Sequence, residues 1–198
     1  SLTFSLSMPV ERADWSGLSL AVGLALAEAL DPVQEAAAPR VGLKWPNDLW
    51  LLDAPHAGRK LGGVLIETVA AGAKRLAVIG VGLNVQPMQA PEVGTGFACL
   101  QEIDAQVEAP AVLHRLALPL VQAIRRFEAE GFAGFVAAYS RRDLLLGQPV
   151  RTTQQGVAEG VAEGVDERGA LQVRTPAGLV AVTSGEVSVR LGADGGAG

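Results

Sequence analysis

"VGLKWPNDLWLL", residues 41–52, is the stretch on which the reading of the whole chain turns. Two apolar runs flank a cation, an indole, a helix-breaking proline, a carboxamide and a carboxylate. This predicts two strand segments broken by a turn at Pro46. Strand-like segments follow at 61–69 and 75–85, linked by "DAPHAGR" and "AAGAK". Connections this short favour antiparallel neighbours. Upstream, Leu2, Phe4, Leu6 and Met8 alternate with Thr3, Ser5 and Ser7, the period of a half-buried strand.

Between these strands, the leucines and alanines from Leu18 to Leu30 predict a tightly packed helix that stops before Pro32, with Asp14 or Ser16 as its N-cap. A Pro/Gly-rich loop is expected at 86–95. From Pro110 to Glu130, Val112, Leu113, Leu116, Leu120, Val121, Ile124 and Phe127 recur at helical spacing, with a kink expected at Pro119. A second short helix is expected over Phe132–Tyr139. After "LLLGQPV" helix signals end, and short Val/Thr strands alternate with turns at "DERG", "PAG" and "SGE". "VAEGVAEG" reads as strand alternation, being too short for a solenoid. The expected organisation is an α+β domain over 1–145, a small barrel over 146–191 and a mobile glycine-rich tail over 192–198.

Composition narrows the function. The 198 residues are 49% hydrophobic and 19% charged, as in globular proteins. A net charge of -5 without a basic block argues against broad contact with nucleic acid. The single cysteine, Cys99, excludes an internal disulfide and a Cys/His zinc cluster, and fits a reducing cytoplasm. The longest apolar stretch, "GLSLAVGLALAEAL", is shorter than a bilayer span.

Three polar clusters stand in order on successive strand segments: "KWPND" at 44–48, "RKLGGVLIE" at 59–67 and "VIGVGLN" at 78–84. Pro46-Asn47-Asp48 reads as a plain turn or as a turn presenting an amide and a carboxylate to a ligand, the carboxylate also able to hold Mg²⁺ through water. Lys60 reads as a solvated charge or, with Gly62 and Gly63 inside the strand beside it, as a cation at a point of close ligand approach. The glycines of "GVGLN" read as packing devices or as part of that approach, and Asn84 as a strand-ending turn residue. "GVGLN" lacks the third glycine and the following helix of a dinucleotide fingerprint. His56 and His114 have no Ser or Cys constellation around them, so nucleophilic hydrolase chemistry has little support.

In this order and at these distances, "KWPND", "RKLGGVLIE" and "GVGLN" resemble the catalytic domain of biotin protein ligases, and the likeness continues through "GEVSVR" at 185–190. The resemblance implies a class II synthetase-like mixed or antiparallel sheet with flanking helices, followed by an SH3-like barrel. It implies that biotin and ATP react to biotinyl-5'-adenylate and pyrophosphate, and that biotin then passes to a lysine of a biotin carboxyl carrier protein. By the same resemblance Lys60 contacts biotin and the α-phosphate region, and Gly63, Val64, Gly80 and Gly82 line the biotin pocket. Asn47 and Asn84 contact the adenylate and phosphates, Asp48 is a partner for Mg²⁺ or the nucleotide, and Glu186 and Arg190 reach back from the barrel toward the nucleotide. The family also has a loop of the form GRGRxGR ahead of the strand with which this chain begins, so the chain reads as the later part of a ligase. A homodimer is compatible with the resemblance, and nucleic acid and membrane are not expected partners of this segment. A biotinyl-adenylate sensor without turnover, or a lipoate or octanoate transferase relative, are the alternative readings.

Overall fold

The computed structural model describes residues 1–33, 37–72, 74–87, 96–154 and 159–189, with the backbone alone for residues 71, 74 and 189. The first sheet contains β1 (Leu2–Pro9), β2 (Val41–Lys44), β3 (Asp48–Ala54), β4 (Ala57–Ala71) and β5 (Lys74–Leu83). Its order is β1-β5-β4-β3-β2 and every pairing is antiparallel. From β2 to β5 the short turns enforce this, because a hairpin returns the chain beside itself.

Alternation separates the two faces of the sheet. Leu2, Phe4, Leu6 and Met8 of β1 stand opposite Leu83, Val81, Ile79 and Ala77 of β5. All eight belong to, or pack against, one core that also takes in α1 (Leu18–Leu30) and α2 (Ala109–Glu130). Thr3, Ser5 and Ser7, opposite Gly82, Gly80 and Val78, lie on the other, open face. Helix α1 is buried on nearly every side, as its Leu/Ala sequence requires; α2 buries only Val112, Leu116, Leu120, Ala123, Ile124 and Phe127. Each such large side chain contributes about 1.5–3 kcal/mol of burial.

Two expectations need correction. Neither Asp14 nor Ser16 caps α1: the N-cap is Gly17, at φ 83, and Asp14 Oδ1 accepts a hydrogen bond from Ser16 N instead. A Cβ at residue 17 would lie 2.7 Å from the Phe132 ring, so packing and backbone both demand glycine there. Residues 132–139 are not one helix but a 3₁₀ turn at Ala133–Phe135 leading into α3 (Val136–Ser140). Helix α2 contains Pro119 and remains a single element. Residues 88–95 of the expected loop, the first two residues of "VAEGVAEG" (157–158) and the tail 192–198 lie outside the described residues.

After α3 the chain runs beside β2. Leu43 N donates to Arg142 O at 2.7 Å and Leu144 N to Leu43 O at 2.9 Å. Arg142, 5% exposed, pairs with Asp31 at 3.0 Å and donates to the Val41 carbonyl. This anchor delivers the second sheet to the "KWPND" end of the first: β6 (Pro149–Thr152), β7 (Glu159–Val165), β8 (Leu171–Thr175), β9 (Gly178–Val182) and β10 (Val187–Val189), in the order β10-β6-β7-β8-β9. The chain is thus α+β with a C-terminal β unit. No helix among the described residues is long and apolar enough to cross a membrane.

Candidate functional site

A bulge in β4 assembles the site. Between β3 and β4 the register steps one residue on β3, from Trp50 to Leu49, but two on β4, from Lys60 to Gly62, so Leu61 is the extra residue. In a regular strand Lys60 and Gly63, three apart, would point to opposite faces. The bulge resets the alternation and puts Lys60 and Gly63 on the open face with Asp48, while Leu61 and Val64 join the core. One row across that face reads Thr3, Gly82, Gly63, Asp48, and the next reads Ser5, Gly80, Leu65.

These rows floor a recess of about 470 Å³. Its glycines differ in kind. A Cβ at Gly82 would meet nothing within 4 Å and would stand in the recess itself. At Gly63 it would press on Asp48 Oδ1 at 3.2 Å, whereas at Gly80 it would make only ordinary contact with the Leu65 carbonyl at 3.5 Å. Gly62 points into the sheet, where a Cβ would collide with the Gly82 carbonyl. Val64 lines the recess while its side chain is 2% exposed within the core, so its contribution is backbone: Val64 N donates to Asn47 O and Val64 O accepts from Asn47 Nδ2, both at 2.9 Å.

A second recess of about 610 Å³ opens between the two sheets. Lys44, Asn47, Asp48 and Lys60 form one wall; Arg151, Thr153, Glu186 and Ser188 belong to the other. Asn47, Asp48 and Lys60 line both recesses. At this junction Lys60 Nζ is 2.7 Å from Asp48 Oδ1, with the side chains 42% and 20% exposed. Lys44 pairs opposite Asp48 in the β2–β3 ladder and lies over the Trp50 ring, 4.9 Å from its centroid. Burial holds the Lys44 ammonium below the ordinary lysine value; Asp48 and Glu186 oppose that shift and Lys60 adds to it.

Other predicted residues fall into place around the junction. Asn84 Nδ2 donates to the carbonyls of Lys60 (3.4 Å) and Ala98 (3.1 Å), so its two amide hydrogens clamp β4 to the segment returning at Ala98. Thr153 and Glu186 exchange bonds that fix the far wall, Glu186 N to Thr153 Oγ1 at 2.8 Å and Thr153 N to Glu186 O at 3.1 Å. Arg190 lies outside the described residues. Lys44, Arg151, Thr153 and Ser188 line the cleft without being among the residues expected from the sequence. Lys44 was legible there, being part of "KWPND" and two residues before the turn. Neither histidine lines either recess: His56 sits in the β3–β4 turn with a ring nitrogen 3.2 Å from Leu144 O, and His114 is exposed on α2. No group of three or more His, Cys, Asp or Glu able to hold a metal occurs among the described residues.

Chemically, the junction joins an open floor of small residues to a polar cleft carrying two ammonium groups. Such a site accepts an elongated ligand, compact and weakly polar at one end and anionic in the middle.

Comparison with known proteins gives concordant results. Residues 1–84 match the Biotin/lipoate A/B protein ligase family, and residues 145–190 match the Biotin protein ligase C terminal domain. The chain is similar to the Biotin--[acetyl-CoA-carboxylase] ligase of Paracoccus denitrificans, 34% identical over 186 residues that cover 86% of this chain and 71% of that protein. It is also 34% identical over 179 residues to the Bifunctional ligase/repressor BirA of Escherichia coli, covering 88% of this chain and 53% of that one, so it spans about half the length of that relative. Among solved structures, the biotin protein ligase from Aquifex aeolicus in complex with biotin and ATP superposes with a TM-score of 0.75 at 28% identity, over 95% of this chain and 77% of that one.

Proposed function

The chain belongs to the biotin protein ligase family, and on that premise we propose that it joins biotin to ATP and passes biotin to a lysine of a biotin carboxyl carrier protein in the cytoplasm. The observation that carries this reading is the meeting of two recesses at Lys60 and Asp48. Biotin lies on the glycine floor with its carboxylate toward Lys60, and ATP lies in the cleft with its α-phosphate at the same point. A biotin carboxylate oxygen bonds to the α-phosphorus, the bond to the bridging oxygen breaks and pyrophosphate leaves. The carrier amine then attacks the acyl carbon, AMP departs and the amine loses a proton.

Each residue has a physical task in this scheme. Lys60 offsets charge as two anions converge, the moment at which a fixed cation lowers the barrier most. Lys44, held close by, adds a second positive charge for the phosphates. Gly82 leaves room for the fused rings, and Gly63 and Gly80 let them approach the backbone. The Val64 backbone holds Asn47 through two bonds, its N–H to the Asn47 carbonyl and its carbonyl from the Asn47 side-chain amide. Asn47 turns toward the adenylate and Glu186 faces it from the opposite wall, while the nucleotide role of Arg190 rests on the family resemblance alone. Asn84 is better placed to orient Lys60 than to contact phosphate, since both its amide hydrogens are engaged. The partly exposed Asp48 carboxylate fits Mg²⁺ as one protein ligand among phosphate oxygens and water. The metal would neutralise phosphate charge there.

Biotin-dependent exchange of labelled pyrophosphate into ATP is the test. Exchange that requires both biotin and ATP supports the reaction. Tight binding of biotinyl-5'-adenylate with no exchange favours a sensor, and exchange driven by lipoate or octanoate in place of biotin favours the transferase relatives.

A further inference from the structure

Trp45 immediately precedes the Pro46-Asn47-Asp48 turn, yet its side chain is 4% exposed and engaged elsewhere. Its indole Nε1 donates to the Gly169 carbonyl, 3.0 Å away and 124 residues along the chain. Gly169 ends the β7–β8 turn of the second sheet, and that turn is internally braced. Asp166 Oδ1 accepts from Arg168 N and Ala170 N, its Oδ2 accepts from Gln172 Nε2, and its carbonyl accepts from Gly169 N, each at 2.9 Å. Gly169 has φ 79, and a Cβ there would sit 2.6 Å from Gly17 Cα and 3.2 Å from Gly17 N. The second sheet is therefore seated backbone against backbone on the start of α1, and hydrogen-bonded to the residue that leads into the site turn.

The consequence follows from which walls belong to which sheet. Among the described residues, the recess floored by Gly63, Gly80 and Gly82 draws none from the second sheet, whereas the cleft takes Arg151, Thr153 and Glu186 from it. We propose that Trp45 and Gly169 are positioning residues that fix the spacing of the cleft walls, and that they govern nucleotide affinity without governing biotin affinity. This rests on the reading above, in which ATP occupies the cleft.

The experiment measures ATP and biotin binding separately, by calorimetry on the full chain, for the unaltered protein, Trp45→Phe, Gly169→Ala and Arg168→Ala. Trp45→Phe keeps an aromatic ring in place but removes the N–H donor together with the pyrrole half of the buried indole. It is expected to weaken ATP about tenfold while biotin stays within about twofold, the size of one lost hydrogen bond. Arg168→Ala breaks an exposed ion pair from the same turn to Asp14 and should change neither affinity more than about twofold. Gly169→Ala should follow Trp45→Phe if it folds, and Trp45→Phe alone decides the matter if it does not. Parallel loss of ATP and biotin affinity in Trp45→Phe, or no change in either, overturns the proposal. Failure of the unaltered protein to bind ATP overturns the underlying reading, and this proposal with it.

Discussion

In the proposed reaction Lys60 is the residue on which the chemistry depends, and its pairing with Asp48 makes that role testable. Lys60→Met keeps the aliphatic stem and removes the charge, leaving Asp48 without its 2.7 Å partner. Biotin-dependent ATP/pyrophosphate exchange should fall by about 10²–10³, the usual scale for losing one fixed electrostatic stabiliser, while biotin affinity falls far less. Near-normal exchange in that variant would remove Lys60 from the mechanism. The glycines make an internal contrast. Gly82→Val adds volume where a Cβ meets nothing, so the fold should survive and biotin binding should be lost; Gly62→Ala drives a Cβ at the Gly82 carbonyl and should cost about 1–3 kcal/mol of stability. Melting curves and calorimetry on both variants separate the two cases, and a normal biotin affinity in folded Gly82→Val would place the ligand elsewhere. This division was only half legible in the sequence. Ile79, Val81 and Leu83 announce which face of β5 is core, which leaves Gly80 and Gly82 on the other. Nothing comparable marks β4, where Gly62 and Gly63 are neighbours of opposite orientation.

Elements were more legible than the features that join them. The Pro46 turn, the antiparallel hairpins and the two long helices follow from periodicity and punctuation, because each is a local property of the chain. The bulge at Leu61 is not local: it arises from how β4 pairs with β3, and it alone brings Lys60 and Gly63 to one face. The start of α1 escaped for the same reason, since Phe132, more than a hundred residues away, dictates a glycine there. The link from α3 to β6 carries a further hidden property. Asp143 accepts from Leu145 N at 2.9 Å, while its buried Oδ2 has no partner among the described residues. Burial pushes its carboxyl up from 3.8 to about 6, against the pull of the Leu145 and Leu146 amides and of His56. A carboxyl whose folded pKa is raised binds a proton in the folded state where the unfolded state has lost it. Its penalty is therefore absent below about pH 4, grows as pH rises toward 6 and is complete above that. Asp143→Asn should accordingly be more stable than the unaltered protein at pH 7.5, by about 2 kcal/mol or 4–8 °C in melting temperature, with the advantage gone by pH 4. An advantage that is the same at both pH values would show that charge is not its cause.

At the scale of the whole molecule, the proposed reading divides the work between the two sheets, and ligand binding should reveal the division. "KWPND" and "RKLGG" lie on one sheet, and Glu186 to Ser188 enter the cleft from the other. Their order in the chain was visible; their convergence depends on the anchor of Arg142 to Asp31 and Val41, which no spacing rule encodes. Hydrogen exchange can read the convergence directly. Biotin confined to the glycine floor should slow exchange of amides in β1, β4 and β5 around Gly63 to Leu65 and Gly80 to Leu83, and leave the second sheet as it was. ATP should add protection on the opposite wall, at Arg151 to Thr153 and at Glu186 to Ser188, because the cleft proposed for it has a side on each sheet. A ligand that binds only the folded state at a hundredfold excess over its Kd adds about 2.7 kcal/mol, so melting temperature should rise by roughly 5–10 °C with either ligand. The distribution of protection, and not the size of the melting shift, therefore decides the point. If biotin alone protects β6 and β10 as strongly as ATP does, the recesses act as one cavity spanning both sheets. If ATP protects β1 to β5 only, the second sheet forms no wall of the nucleotide site, and Glu186 has no part in it.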